Sequence, residues 1–272
     1  MEKENRDIEK LFEELSELSQ TEAIALGGSR ATGKLDERSD YDVYIYVTEE
    51  IPDEARKEIL KKYCSYMEIG NHYWEAEDNC VLNSGVDIDL VYRNLNDFIK
   101  GIEHVVVKGN ACNGYTTCMW HNLLTCEVVY DEKGRLMAAK KRFSIPYPEN
   151  LKKNIIVNNM NLLNGCLPSY DMQIKKAYIR GDQNSINHRV TEFLASYFDI
   201  IFAANEMTHP GEKRLVQICR EQCKILPGHF EENLGRLFSG MFQEEVCGII
   251  TEMTEEIRRM LDSCESIGFN WK

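Results

Sequence analysis

The sequence is short of positive charge: 32 Lys and Arg stand against 45 Asp and Glu, a formal net charge of −13. No Lys/Arg cluster is long enough to track a phosphate backbone, which argues against nucleic acid as the partner and leaves a cationic small molecule attracted. Long apolar runs are missing too. Nothing approaches the roughly 18 residues of a membrane span, and the acidic, amphipathic start MEKENRDIEKLFEEL lacks the build of a signal peptide. The expectation is a cytoplasmic protein without a membrane partner. No Cys-x-x-Cys occurs among the ten cysteines (64, 80, 112, 118, 126, 166, 219, 223, 247, 264), which read as reduced thiols and mostly core filler. Cys219 and Cys223 are four apart on an expected helix without a nearby His, so they read as packing. The six His show no metal-ligand spacing, and the three Trp (74, 120, 271) are too dispersed for a stacking platform. Internal repeats and low-complexity tracts are absent.

What remains is an ordinary globular composition, 272 residues with 43% apolar, enough for one large domain or two modest ones. Ile8, Leu11, Phe12, Leu15 and Leu18 recur at helical steps. Ala23 to Leu26 then reads as a buried strand and Tyr41 to Val47 as a second. Pro52 to Tyr63 reads as a helix, with further strands expected around His72 to Ala76 and Val86 to Tyr92. Asn94 to His104 reads as a helix and Val128 to Tyr130 as a last short strand. Past Pro146 and Pro148 only helical periodicity remains, in segments near 149–163, 170–180, 184–206, 212–224, 229–238 and 243–262. The change of pattern divides the chain into 1–145, an α/β (α+β) domain with a mixed sheet, and 146–272, an all-helical bundle, with a cleft between them expected.

Chemistry concentrates in Gly27-Gly28-Ser29-Arg30 and in Asp40-Tyr41-Asp42 at the head of a strand. Asp40 and Asp42 are two apart in extended chain, so both carboxylates point to one side. Like charges so placed are tolerated mainly when a cation sits between them, here a hard, oxygen-loving one such as magnesium. Glycines directly after a buried strand allow a tight turn with bare amides, a cradle for phosphate to which the Ser29 hydroxyl adds a bond. In Val86-Asp87-Ile88-Asp89-Leu90, acids interrupt an apolar strand, which is costly without a counter-ion. Asp87 and Asp89 share a face, so parity does not choose between them. Arg180-Gly181-Asp182 reads as a helix stop followed by a cap.

Gly-Gly-Ser, ten intervening residues, Asp-Tyr-Asp and a later acid on another strand resemble the polymerase-beta-like nucleotidyltransferase superfamily over about residues 20–95. Within it the chain is similar to small bacterial antibiotic nucleotidyltransferases (aminoglycoside or lincosamide) and their uncharacterised relatives with a helical C-terminal domain. The resemblance rests there on Ala177 to Asp182 and Asn205 to Leu215. It implies a nucleotidyltransferase domain followed by the helical bundle, with Gly27, Gly28, Ser29 and Arg30 holding the triphosphate. It also implies two magnesium ions on Asp40, Asp42 and Asp89, with Asp87 the less favoured third ligand. The implied reaction moves a nucleoside monophosphate, AMP from ATP or another nucleoside triphosphate, to a hydroxyl of a small cationic acceptor and releases pyrophosphate. Glu192 is the expected general base, ahead of Asp182, His188 and Glu206, and Lys213 an expected phosphate contact. The rival readings are an antitoxin-type enzyme that attaches AMP to a protein and a silent nucleotide-binding module. A homodimer is left open.

Overall fold

The structure is a computed structural model that describes residues 2–31 and 40–263, with the side chains of 2–5, 29 and 31 outside the description. Two compact units emerge: Met1–Glu103 with Asn122–Ile145, and His104–His121 with Pro146–Lys272.

In the first unit, helix α1 (Glu2–Ser16) buries Ile8, Leu11, Phe12 and Leu15, the stripe expected from the sequence. Strand β1 (Thr21–Leu26) follows, then α2 (Gly28–Ala31), β2 (Tyr41–Val47), α3 (Asp53–Leu60), β3 (Cys64–Asn71), β4 (Ala76–Leu82) and β5 (Asp87–Asn94). Helix α4 (Leu95–Val106), α5 (Cys118–Thr125), β6 (Glu127–Asp131) and α6 (Arg135–Phe143) come next, residues 104–106 of α4 and 118–121 of α5 belonging to the second unit. The six strands form one sheet in the order β3-β4-β5-β2-β1-β6. Among the described residues only β2 and β5 pair in parallel, so the sheet is mixed as expected. Parallel neighbours cannot be joined by a tight turn. Here the connection is α3, β3 and β4.

The two faces of the central strands differ. Tyr41, Val43, Ile45 and Val47 of β2, with Ile88 and Leu90 of β5, bury one face against α1 and α3, where Ile59 and Leu60 close the core. Each fully buried Leu or Ile contributes roughly 1.5–3 kcal/mol. Asp78 of β4 is fully buried on this face and ion-paired at 2.5 Å with Arg56 of α3, with further bonds from Tyr92 Oη (2.9 Å) and Gly70 N (2.8 Å). Alternation sends Asp42, Tyr44 and Tyr46 of β2 and Asp89, Val91 and Arg93 of β5 to the other face.

Three sequence expectations need correction here. The helix expected to Tyr63 stops at Leu60, because Cys64 already opens β3, an edge strand whose outward residues are too polar to announce it. Residues 72–75, expected as part of a strand, are the link between β3 and β4, and Tyr73 and Trp74 stand 77% and 87% exposed there. Helices α5 and α6 were not anticipated.

The second unit holds α7 (Glu149–Met160), continued by a π-helical turn at Asn161–Gly165, then α8 (Tyr170–Ile179), α9 (Gln183–Ala204), α10 (Leu215–Gln222), α11 (Phe230–Gly240) and α12 (Val246–Asp262). These match the helical segments read from the sequence. Helix α9 is buried continuously from Ala195 to Ala203, and Phe193, Tyr197 and Phe230 stack along it with centroids 6.0 and 6.4 Å apart. Asp182 caps α9, its Oδ1 accepting from Ser185 N at 3.0 Å, and Gly181 takes φ +66°, the stop-and-cap reading of Arg180-Gly181-Asp182. Residues 104–121, which the change of sequence pattern left with the first half, pack with this unit. Thr116 N and Oγ1 donate to Asp199 of α9 at 3.1 and 2.6 Å, and His209 N donates to Thr117 Oγ1 at 2.8 Å.

All nine cysteines among the described residues are unbridged. Cys264 and Trp271 lie outside them. No helix among the described residues is long and apolar enough to cross a membrane.

Candidate active site

The turn between β1 and α2 lies against the outward face of β2. Gly27 N donates to the Asp42 carbonyl at 2.8 Å. A Cβ on Gly27 would fall 2.3 Å from Tyr44 Cε2, and one on Gly28 would fall 1.9 Å from Asp42 Oδ2. Gly28 also has φ +60°, a conformation that favours glycine. The sequence explained these glycines by a turn for phosphate. The structure adds a second reason, that the Asp42 carboxylate and the Tyr44 ring occupy the space that side chains would take.

Across the parallel pair, Asp42 sits in register with Asp89. On the far side of β5, Asp89 is opposite Asn79, which is opposite Glu68 of β3. Asp42, Asp89, Asn79 and Glu68 thus form one row across four strands. Asn79 Nδ2 donates to Asp89 Oδ1 at 2.8 Å. Asp87, the alternative left open by parity, is exposed and pairs with Val81. The register therefore brings Asp89, not Asp87, beside Asp42.

Asp40 precedes β2 and is half-buried, with its carbonyl accepting from Arg30 Nε at 3.1 Å. The Arg30 guanidinium also covers the Tyr41 ring, 3.6 Å from its centroid, so Arg30 braces the head of β2 from α2. Ser29 belongs to α2, but its side chain lies outside the described residues, as do residues 32–39. Below the row, Arg93 forms a two-point bond with Glu75 (2.7 and 2.6 Å) and stacks on Tyr44 at 4.3 Å. Burial pushes the Tyr44 and Tyr46 phenols up, so both stay protonated at neutral pH.

Among the described residues no three His, Cys, Asp or Glu are gathered into a ready cage for an ion. Two facing carboxylates nevertheless suit magnesium, which is commonly held by one or two carboxylates with the remaining positions filled by water and substrate phosphates. Asp42 and Asp89 supply that donor chemistry, and the Gly28 cradle keeps one of them close to the turn.

The residues expected from the helical half lie in the second unit. Glu192 on α9 is half-buried, with Oε2 3.5 Å from the Tyr170 hydroxyl. Lys213 is exposed in the turn before α10. Of the other base candidates, Asp182 is occupied as a cap, Glu206 pairs with Lys152 at 3.0 Å, and His188 is exposed. This unit contains a cavity of about 520 Å³ lined by Tyr115, Thr191, Phe198, Glu212, Leu215 and Phe238 among others. Burial, with Glu212 and Glu192 behind it, pushes the Tyr115 phenol up. A smaller cavity in the first unit, about 240 Å³, lies off the opposite ends of β2 and β5, at Val47 and Asn94, away from the carboxylates.

The family model described as nucleotidyltransferase domain matches residues 8–109, which contain the turn, β2 and β5. Residues 8–109 are a nucleotidyltransferase domain. The polymerase-beta-like resemblance carried by residues 20–95 falls inside that match, and the chain is an enzyme of the nucleotidyltransferase kind. A second model, a domain of unknown function (DUF4037), matches residues 115–215 of the chain. No curated protein matches the sequence. Among solved structures, the chain is similar to a nucleotidyltransferase-like protein from Exiguobacterium sibiricum 255-15, at 11% identity and TM-score 0.44 over 95% of this chain and 74% of that one. It is also similar to an aminoglycoside 6-adenyltransferase from Bacillus subtilis (10%, 0.30, covering 95% and 91%). A spectinomycin adenyltransferase from Enterococcus faecialis, with ATP and spectinomycin, aligns at 11% and 0.33 over 95% and 99%.

Proposed function

We propose that this nucleotidyltransferase moves AMP from ATP to a hydroxyl of a small cationic acceptor, of the aminoglycoside or lincosamide class, with magnesium. The observation behind the metal-dependent reading is the register of Asp42 with Asp89, two carboxylates on one sheet face beside a glycine turn. In the reaction the acceptor oxygen bonds to the α-phosphorus, the α–β phosphoanhydride bond breaks, and pyrophosphate leaves with the electron pair. The hydroxyl proton passes to a base, for which Glu192 is our choice. Asp40, Asp42 and Asp89 are the residues that would hold magnesium, and the metal would neutralise charge on the attacking and leaving oxygens. The amide of Gly28, with Ser29, Arg30 and Lys213, would orient the triphosphate, the Gly27 N–H being already donated to the Asp42 carbonyl. Acceptor recognition is assigned to the helical unit, 146–272 with 104–121, where Tyr115, Glu192 and Glu212 supply an aromatic ring and carboxylates suited to an ammonium group. The net charge of −13 favours the same class of acceptor.

The test is pyrophosphate release with magnesium, each of the four ribonucleoside triphosphates, and a panel of aminoglycosides and lincosamides, with Asp42→Asn protein as the blank. Release that depends on ATP and on one drug is the expected result. Silence across the panel with nucleotide still bound overturns the acceptor class, and labelling of a protein instead would favour the antitoxin-type reading.

A further inference from the structure

We infer that Asn79, backed by Asn71, is a positioning residue that orients Asp89 toward the cation shared with Asp42, an inference that rests on the metal-dependent reading above. Neither asparagine belongs to a motif in the sequence. In the fold they form a chain of bonds: Asn71 Nδ2 donates to Asn79 Oδ1 at 2.7 Å, and Asn79 Nδ2 donates to Asp89 Oδ1 at 2.8 Å. Asn71 Nδ2 also lies 3.4 Å from Glu68 Oε2.

The direction of this chain is fixed by chemistry at both ends. An amide can present oxygen or nitrogen, but an ionised carboxylate only accepts. Turning the Asn79 amide over would set its carbonyl oxygen against Asp89 and its nitrogen against the Asn71 donor. Glu68 imposes the same choice on Asn71. Two carboxylates thus hold both amides in a single orientation, and the donor hydrogens point along the row toward Asp89.

The sheet order places this brace on the side where it is useful. Asn79 lies on β4 and Asp42 on β2, on opposite flanks of β5. The amide engages Oδ1 from the β4 side, while Oδ2 takes no hydrogen bond among the described residues. The carboxylate is therefore held by one oxygen and presents the other to a cation. Fixing a ligating side chain from behind typically contributes 10- to 100-fold to metal affinity. Asp87, opposite Val81, has no such amide behind it among the described residues.

The experiment measures manganese binding by electron paramagnetic resonance in the presence of α,β-methylene-ATP, for wild type, Asn79→Leu, Asn79→Ser and Asn71→Leu. Thermal melts are run in parallel. Leu preserves bulk and removes the bond. Asn79→Leu should raise the manganese Kd about 10-fold or more, with Asn71→Leu intermediate between it and wild type. In turnover, the loss should be relieved by raising magnesium, with the nucleotide KM at saturating metal unchanged. Asn79→Ser, smaller and safe for folding, should show the same raised Kd. Equal manganese affinity in wild type and a folded Asn79 variant overturns the brace alone. Absence of manganese binding in wild type overturns the metal-dependent reading and the brace with it.

Discussion

Gly28→Ala is a sharper probe of the site than removal of a carboxylate, because it leaves every charge in place. The backbone at φ +60° costs a residue with a side chain about 1–2 kcal/mol. The added Cβ would sit 1.9 Å from Asp42 Oδ2, and contacts under 3.0 Å are essentially never seen, so the oxygen must withdraw by about 1 Å or the turn must open. A displacement of that size at a reacting centre costs on the order of 100-fold in rate, equivalent to about 2.7 kcal/mol of transition-state stabilisation. Pyrophosphate release by Gly28→Ala should therefore fall about 100-fold in kcat/KM, with a melting temperature lowered by only about 2–8 °C. Gly134→Ala is the control, since Gly134 has φ +66° and, among the described residues beyond its chain neighbours, no atom lies within 4 Å of where its Cβ would stand. It carries the strain without the collision and should retain its rate. A folded Gly28→Ala enzyme with wild-type turnover would refute the argument, as would equal losses in the two variants.

The remaining predictions follow from charge and burial. Asp42→Asn and Asp89→Asn should each abolish turnover with the fold intact by circular dichroism, whereas Asp87→Asn, exposed and outside the row, should stay within about 3-fold of wild type. Arg56→Ala should cost about 3–5 kcal/mol in urea unfolding, because it leaves the fully buried Asp78 without its counter-charge. Burial pushes the Asp199 carboxyl up to about 6 from 3.8, so the folded state holds a proton that the unfolded chain has already released. Its contribution is present below pH 3.8 and lost as pH rises through about 6. Measured by denaturation across that window, the stability difference between Asp199→Asn and wild type should shift by about 3 kcal/mol in favour of the variant. A difference that stays level with pH would show that Asp199 is not held in this way.

Much of this could be read from periodicity and spacing, and the failures have a common cause. The stripe of α1, the strand from Tyr41 to Val47 and the helices beyond Pro146 all bury an apolar face against a neighbour, and such faces leave a pattern. Strand β3 does not, because an edge strand with Ser65, Tyr66 and Glu68 turned outward has little alternation to detect. Tyr73 and Trp74 are the opposite case, aromatic residues of the kind that favours strands, with rings that stand in solvent. At the candidate site, Asp40 and Asp42 drew attention as two acids on one side of an extended segment, and Asp87 and Asp89 as acids interrupting an apolar strand. The resemblance favoured Asp89 where parity did not choose, and what sets Asp89 rather than Asp87 beside Asp42 is the strand register, a property of two segments 47 residues apart and of neither alone. Asn71 and Asn79 were invisible for the same reason, since an asparagine in a strand carries no signal until its cross-strand neighbour is known.

The division of the chain into its two units also bears on how the protein can be taken apart. The backbone passes from one unit to the other three times, after Glu103, His121 and Ile145. A fragment ending at residue 145 would keep 104–121 but lose Asp199 and Tyr147, exposing Trp120 and stranding Thr116 without its acceptor. The complementary fragment would lack the donors that Asp199 takes from Thr116. No single scission yields two self-sufficient pieces, so the helical half cannot be exchanged between enzymes as a simple C-terminal cassette. A working chimera has to carry residues 104–121 into the host along with it.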